Sequence, residues 1–520
     1  MEPADLVVVN GIVRTMDPVG PQIAEAIAAR AGRIVAVGDN ADIDSFVGPR
    51  TTVLDCRGDT VLPGFVDGHC HFEMTCLALD NGIKAQTPPH RSLGEVRAVI
   101  ERELDGSAGD DDWVICRSSF DMHLKVAEGR LFSRLELDDL CADRPVVVFA
   151  SLHVSSLNSL AFQRLGLWES GSEHREHGYV HRDDDGVPTG PVTEIFLMLP
   201  ELWAGDPFRR AVTGHGSDLF NAAGTTSVHT MPESLGQVAD LRDLHERGEL
   251  TVRQRYYLIH PAVASLEEIV ELSATDRDSD RFAFGGMKLF VNGCAHDGLG
   301  HQIDDSKWSQ DELDHVVGRA HANGIQVWLH SLDAHGVRMA ARSIERAYSS
   351  GPRLLRHRIE HGGDFISLDD LDAVRNSGAL LVTTPQFVRS MTRGVDEHFA
   401  PLRTLQDAGV HLVGGTDSTG TVPESVSILG NVGTAVTRRN ATGAVVGADQ
   451  TLDVASAIGL FTTGSSFGGF EEDRKGAIRP GLFADLVQLD ADPWAVGVDE
   501  IASIQVLRTI VGGETVFSRG

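Results

Sequence analysis

The segment VLPGFVDGHCHFEM, residues 61–74, sets two histidines one residue apart behind an apolar run and a Pro-Gly turn. On a β-strand alternate side chains share a face, so His69 and His71 point one way and Cys70 the other. Two imidazoles aimed at one spot begin a metal site. The chain holds 22 histidines, however, and a core histidine with ordinary hydrogen bonds explains such a pair equally well when it stands alone.

Four later strand-like runs each end in a polar residue: GGMKLFVNG presents Lys288, VWLHS His330, RIEHGG His361 and VGGTDS Asp417. Alternation groups Lys288 with Phe290 and Asn292, and sets Met287, Leu289 and Val291 on the opposite, apolar face. A lysine turned inward is costly unless paired, and the usual response is a lowered pKa that leaves a neutral amine. A neutral amine can add carbon dioxide to become a carbamate, a two-oxygen anion able to bridge two cations; pairing with a nearby carboxylate is the simpler alternative. Singly, His330 and His361 read as core histidines and Asp417 as a helix cap. Arriving in order at successive strand ends behind an HxH, they make a shared metal site the better reading.

Such residues need a frame that brings many strand ends to one place. The runs GTTSVHTM, RQRYYLIHP, GGMKLFVNG, IQVWLHS, HRIEHGG, ALLVTTPQF and VHLVGGTDS alternate with amphipathic stretches such as DELDHVVGRAHANG, which predicts an α/β fold: a distorted (β/α)8 TIM barrel over residues 62–470 with LPGFVDGHCH as its first strand. The stretch after His71 is far too long for one βα connection, so an inserted subdomain is expected at about 75–215, with strands in DDWVICRSSF and RPVVVFASLH and helices near Glu95 to Glu103 and Leu157 to Leu165. Short strand patterns at both ends, residues 1–61 and 471–520, are each too small to stand alone and are expected to join in one β-sandwich.

Composition narrows the function classes. A net charge of −30 with no basic cluster excludes a nucleic-acid partner, and acidic runs such as DGSAGDDD and HRDDDG read as solvated loops. Six cysteines without CxxC pairing fit free thiols in a reducing compartment. No run of about 18 apolar residues and no leader pattern is present, so the expectation is a cytoplasmic, membrane-free protein acting on a small molecule, with a homodimer as the default assembly.

The series PGFVDGHCH, Lys288, His330, His361 and Asp417 resembles the amidohydrolase superfamily, specifically the branch similar to N-substituted formamide deformylases; RPVVVFASLHVSSLN, PTGPVTE, GTTSVHT and KGAIRPGLFADLVQLD extend the likeness over almost the whole chain. The resemblance implies two divalent ions. His69, His71 and Asp417 would hold one, His330 and His361 the other, and a carboxylated Lys288 would bridge them. Zinc leads among the metals, with manganese, iron and cobalt accepted by the same ligand types. It also implies hydrolysis of a C–N bond in an amide, formamide, carbamate or cyclic imide by a metal-activated hydroxide, with Asp417 as base and His361 beside it. His153 and Asn158, in an HxxxxN pattern, together with Asn292 and His229 are the candidate substrate contacts, and Glu194 is a weaker one. Members of the branch often have Asp where this chain has Asn292 and Thr230, which leaves pocket charge open. Deamination, decarboxylation or isomerisation at the same centre is the alternative chemistry, and a non-catalytic barrel the alternative class.

Overall fold

The computed structural model describes residues 2–520 except 107–112, 120–121, 170–177, 200–204, 276–278, 295–298, 300, 302, 352–353, 391–398 and 421–422. Most of the acidic run DGSAGDDD therefore lies outside the described residues.

Eight parallel strands form the centre: β1 Phe65–Asp67, β2 Thr225–Thr230, β3 Arg253–Ile259, β4 Phe282–Phe290, β5 Val327–His330, β6 Arg358–Glu360, β7 Leu380–Thr383 and β8 Leu412–Gly414. They are neighbours in sequence order, and the seam between β8 and β1 is drawn together by Gly68 N–H donating to Gly414 O at 2.9 Å. The result is a mixed α/β, distorted TIM barrel whose carboxyl ends open at one mouth. The sequence alternation in β4 is realised: Met287, Leu289 and Val291 join the large apolar cluster between strands and helices, while Lys288 is completely buried outside that cluster. Helices Leu235–Glu246, Gln310–Ala322 and Ala334–Ser349 begin where Ser234, Ser309 and Asp333 accept from backbone N–H groups of the first turn, so strand-to-helix turns are set by local capping chemistry.

Two further sheets lie at the ends of the chain. Four strands of the N-terminal segment make one, in the order Arg33–Gly38, Ala26–Arg30, Leu6–Val9, Thr52–Asp55. The other has six strands and joins both ends: Leu486–Leu489 pairs antiparallel with Thr60–Pro63, two residues before β1. Their shared core includes Val13, Ile34, Val61, Ile478 and Ile510.

The stretch after β1 carries its own six-stranded sheet, in the order Val180–Arg182, Pro188–Thr193, Val154–Leu157, Val146–Phe149, Val114–Arg117, Ile83–Lys84. Period-two alternation splits the run VVVF between two cores. Val146 and Val148 pack with the helix Leu93–Gly106, and Val147 and Phe149 with the helix Ser159–Arg164.

Asn158, expected to contact substrate, has a different task. Its Oδ1 accepts from Ala161 N and Val146 N, both at 2.9 Å, and its Nδ2 donates to the carbonyls of Cys141 and Arg144 at 3.0 and 2.8 Å. Every polar site of this fully buried amide is used in capping one helix and tying it to the neighbouring strand. Asn158→Ala should cost about 2–3 kcal/mol of stability through the lost cap and stranded backbone groups. Denaturant unfolding of the two proteins measures this, and bound metal should be unchanged.

All six cysteines are buried free thiols. Among the described residues no helix is long and apolar enough to cross a membrane.

Candidate metal centre

Backbone bonds between the loops after β1 and β8 assemble the first part of the site. Asp417 N–H donates to His69 O at 2.8 Å and His71 N–H to Ser418 O at 3.0 Å, fixing the HxH segment against Asp417 before any side chain is considered. The glycine pair of VGGTDS makes this approach possible: a Cβ on Gly415 would lie 2.6 Å from His69 Cβ and 2.9 Å from its carbonyl oxygen. Asp417 and His361 both hold left-handed backbones, φ 48° and 62°, a conformation that non-glycine residues keep only when their surroundings enforce it. At His361 this turn ends the strand alternation, so that Glu360 and His361, consecutive in sequence, both reach His69.

The side chains converge. Asp417 Oδ1 lies 3.4 Å from His69 Nε2 and 3.5 Å from His71 Nε2. The His361 ring is 4.9 Å from that of His69 and 4.8 Å from that of His330. Lys288 faces this group from β4, opposite Ile259 and Trp328 in the ladder. Five buried nitrogens here, His69 Nε2, His71 Nδ1, Lys288 Nζ, His330 Nε2 and His361 Nδ1, have no hydrogen-bond partner. Buried polar atoms are nearly always satisfied, so orphans gathered in one place mark a site for a ligand.

The electrostatics suit a cation. Burial pushes His71 down to about 4 and holds His330 and His361 well below the ordinary histidine value, so these rings are neutral with lone pairs available. Burial also pushes Lys288 down to about 8, more strongly than the carboxylates of Glu360 and Asp417 draw it back. At Asp417 burial favours the neutral acid, but His361 and then His69 and His71 outweigh it and keep the group ionised well below the usual carboxylate range. Neutral imidazoles beside one fixed carboxylate form a donor set that fits a divalent metal.

His69 is held from behind. Its Nδ1 is hydrogen-bonded to Glu360 Oε2, and Arg358 grips the same carboxylate twice, Nε to Oε1 at 2.9 Å and Nη2 to Oε2 at 2.7 Å. Trp328 stacks on the His69 ring with centroids 5.5 Å apart and planes at 17°. Of the run RIEH, spacing alone singles out only His361. Arg358 and Glu360, two apart on one short strand and therefore on one face, carried the signal for this bracket.

Of the remaining candidates, His153 does reach the site. Its ring lies 5.3 Å from that of His330, and its Nδ1 is 3.0 Å from both oxygens of Glu194. Burial alone would lower His153, yet the Glu194 carboxylate outweighs it and the pKa is raised. Glu194 also accepts from Cys294 N at 2.8 Å, tying the insertion to the loop after β4.

Asn292 Oδ1 accepts from Leu332 N at 3.0 Å, which braces the loops after β4 and β5. His229 is a correction. His229 is wholly buried beside Trp328 and Tyr257, with Nδ1 taken by Arg358 at 3.3 Å and Nε2 by Glu471 at 3.1 Å, so neither nitrogen is left for a substrate. Thr230 uses its hydroxyl to receive Phe72 N at 3.1 Å and to donate to Glu73, which anchors the helix after the HxH.

Comparison with known proteins agrees with this geometry. The amidohydrolase family model matches residues 52–517. The N-substituted formamide deformylase of Arthrobacter pascens is 28% identical, with 99% of this chain and 98% of that protein covered. The putative amidohydrolase YtcJ of Bacillus subtilis is 23% identical, with 98% and 99% covered. An uncharacterized metal-dependent hydrolase from Pyrococcus furiosus has the same fold, with a TM-score of 0.68 and 21% identity over 94% of this chain and 99% of its own. The chain therefore belongs to the amidohydrolase family and is a metal-dependent hydrolase of carbon–nitrogen bonds.

Proposed function

We propose that the protein hydrolyses the C–N bond of a small amide, with N-substituted formamides first and carbamates and cyclic imides next, at a centre of two divalent cations, zinc foremost. The observation that carries this is the convergence of His69, His71 and Asp417, whose ligand atoms lie within 4.8 Å of one another beside the unpartnered buried nitrogens of Lys288, His330 and His361. Glu360 holds His69 Nδ1, which turns Nε2 towards Asp417.

In this reading His69, His71 and Asp417 would hold one cation and His330 and His361 the other, and Lys288, made neutral by burial, would add carbon dioxide at Nζ with loss of a proton to supply a further anionic ligand. Bound divalent cations acidify water and polarise an amide carbonyl. Asp417 accepts a proton from the attacking water and passes it to the leaving nitrogen. His153, aimed by Glu194, contacts the substrate from the insertion and orients its carbonyl. The buried free thiols suit a reducing cytoplasm.

The test is metal content per chain on protein purified without chelator and with bicarbonate, followed by a substrate panel. About two metals per chain, amine release from formamides or amides, and loss of that release on chelation are expected. Ammonia release from aminopurines or carbon dioxide release from aromatic acids, with amides untouched, would move the reaction to deamination or decarboxylation. Folded protein without metal would overturn the proposal.

A further inference from the structure

A chain of buried hydrogen bonds runs from His69 away from the mouth and down the barrel interior. Its proton positions can be assigned one by one. Arg358 has only donors. It gives Nε and Nη2 to the two oxygens of Glu360, Nη2 also to Gly68 O at 2.7 Å, and Nη1 to His229 Nδ1 at 3.3 Å. His229 Nδ1 therefore accepts, its ring hydrogen lies on Nε2, and Nε2 donates to Glu471 Oε2 at 3.1 Å. Glu471 Oε1 is paired with Lys475 Nζ at 2.9 Å, and Lys475 donates to Ser227 Oγ at 2.9 Å. Burial pushes His229 down to about 4, in keeping with a neutral ring that accepts on one side and donates on the other.

The order is forced in one direction. Because Glu471 accepts from His229, His229 must accept from Arg358. Arg358 in turn orients Glu360, and Glu360 can only accept from His69, whose Nε2 lone pair is then directed at the metal site. Packing holds the same path: the Arg358 guanidinium lies 3.8 Å from the Trp328 ring centroid, and Trp328 stacks on His69. The approach of residues 469–475 to His229 depends on a missing side chain, since a Cβ on Gly469 would sit 2.5 Å from His229 Cε1. Among the described residues the His229 carbonyl accepts from Cys70 N at 3.1 Å, while the ring nitrogens bond only to Arg358 and Glu471.

We infer that His229 and Glu471 are positioning residues for the metal, fixing the tautomer and direction of His69 through Arg358 and Glu360, so that cation affinity depends on a contact with the segment leading into the C-terminal strands. The inference rests on the metal reading of the site.

The experiment uses the full chain and measures Zn2+ and Co2+ affinity by chelator competition, the absorption spectrum of bound Co2+, and the melting temperature of metal-free protein. His229→Gln can keep both bonds in the same sense, its carbonyl accepting from Arg358 and its amide donating to Glu471. His229→Leu keeps neither. His229→Asn, polar but too short to span both partners, serves if the leucine variant does not fold. Glu360→Gln is the reference for direct loss of the bracket. The expected result is affinity about tenfold weaker with an altered Co2+ spectrum for His229→Leu or His229→Asn, affinity within about twofold of wild type for His229→Gln, and a loss of about 10–100-fold for Glu360→Gln. Wild-type affinity in His229→Leu or His229→Asn overturns the inference alone. So does an equal loss in His229→Gln that follows the fall in melting temperature. Wild-type protein that binds neither cation overturns the metal reading, and this inference with it.

Discussion

Asp417→Asn should keep its cation and lose about 10²–10⁴-fold in turnover, the range expected when a proton-transferring group is removed. Asparagine is close to isosteric, and it is among the residues that tolerate the left-handed backbone required here, φ 48°. The backbone bond from residue 417 to His69 O at 2.8 Å is untouched by the change, so the HxH loop should stay in place. The carboxamide oxygen can still face a cation, but it cannot take a proton at the pH where the carboxylate does. Steady-state kinetics with metal analysis on the same samples checks this. A fall in kcat at unchanged metal content supports the assignment, and full activity rejects it. If metal and activity fall together, Asp417 acts as a ligand only.

Lys288→Met should reduce bound metal from about two ions per chain to one or none and take turnover to about 1% of wild type or less. The opposite effect is expected on stability. Lys288 is fully buried and its Nζ has no hydrogen-bond partner, so an apolar side chain of similar length removes a desolvation cost and should leave the melting temperature of metal-free protein equal or higher. Rising stability with falling activity is the signature of a residue kept for chemistry. Carbon-13 NMR of wild-type protein in labelled bicarbonate should show one carbamate signal that is missing in Lys288→Met. If the variant keeps two metals and full activity, Lys288 has no part in the site.

The sequence shows the site and its frame to very different degrees. Strand ends carrying Lys288, His330, His361 and Asp417 could be read in order because a parallel barrel converts linear spacing into convergence at one mouth. Period-two alternation also separated Lys288 from the apolar face of β4 correctly. Alternation says which face a residue occupies and nothing about its partners, which is why His229, inward-facing on β2, reads as a substrate contact although Arg358 and Glu471 take both of its ring nitrogens. Asn158 could have been recognised from its place just before the helical run SLAFQR, where an asparagine caps the first turn. Asn292 could not, since its partner Leu332 is 40 positions away and belongs to another loop. The Arg358–Glu360 bracket was visible as a same-face pair, but its target, His69, lies 291 positions from Glu360.

The pairing of Leu486–Leu489 with Thr60–Pro63 has a consequence for how the molecule is made. A nascent chain leaves the ribosome with the strand at 60–63, and the histidines a few residues beyond it, long before residues 486–489 have been synthesised. Contacts so far apart in sequence are late and slow to form. Until the partner strand arrives, an apolar edge stays open next to the segment that carries His69 and His71. That edge is therefore covered only after residues 486–489 have been made, later than Asp417, the last of the site residues in sequence order.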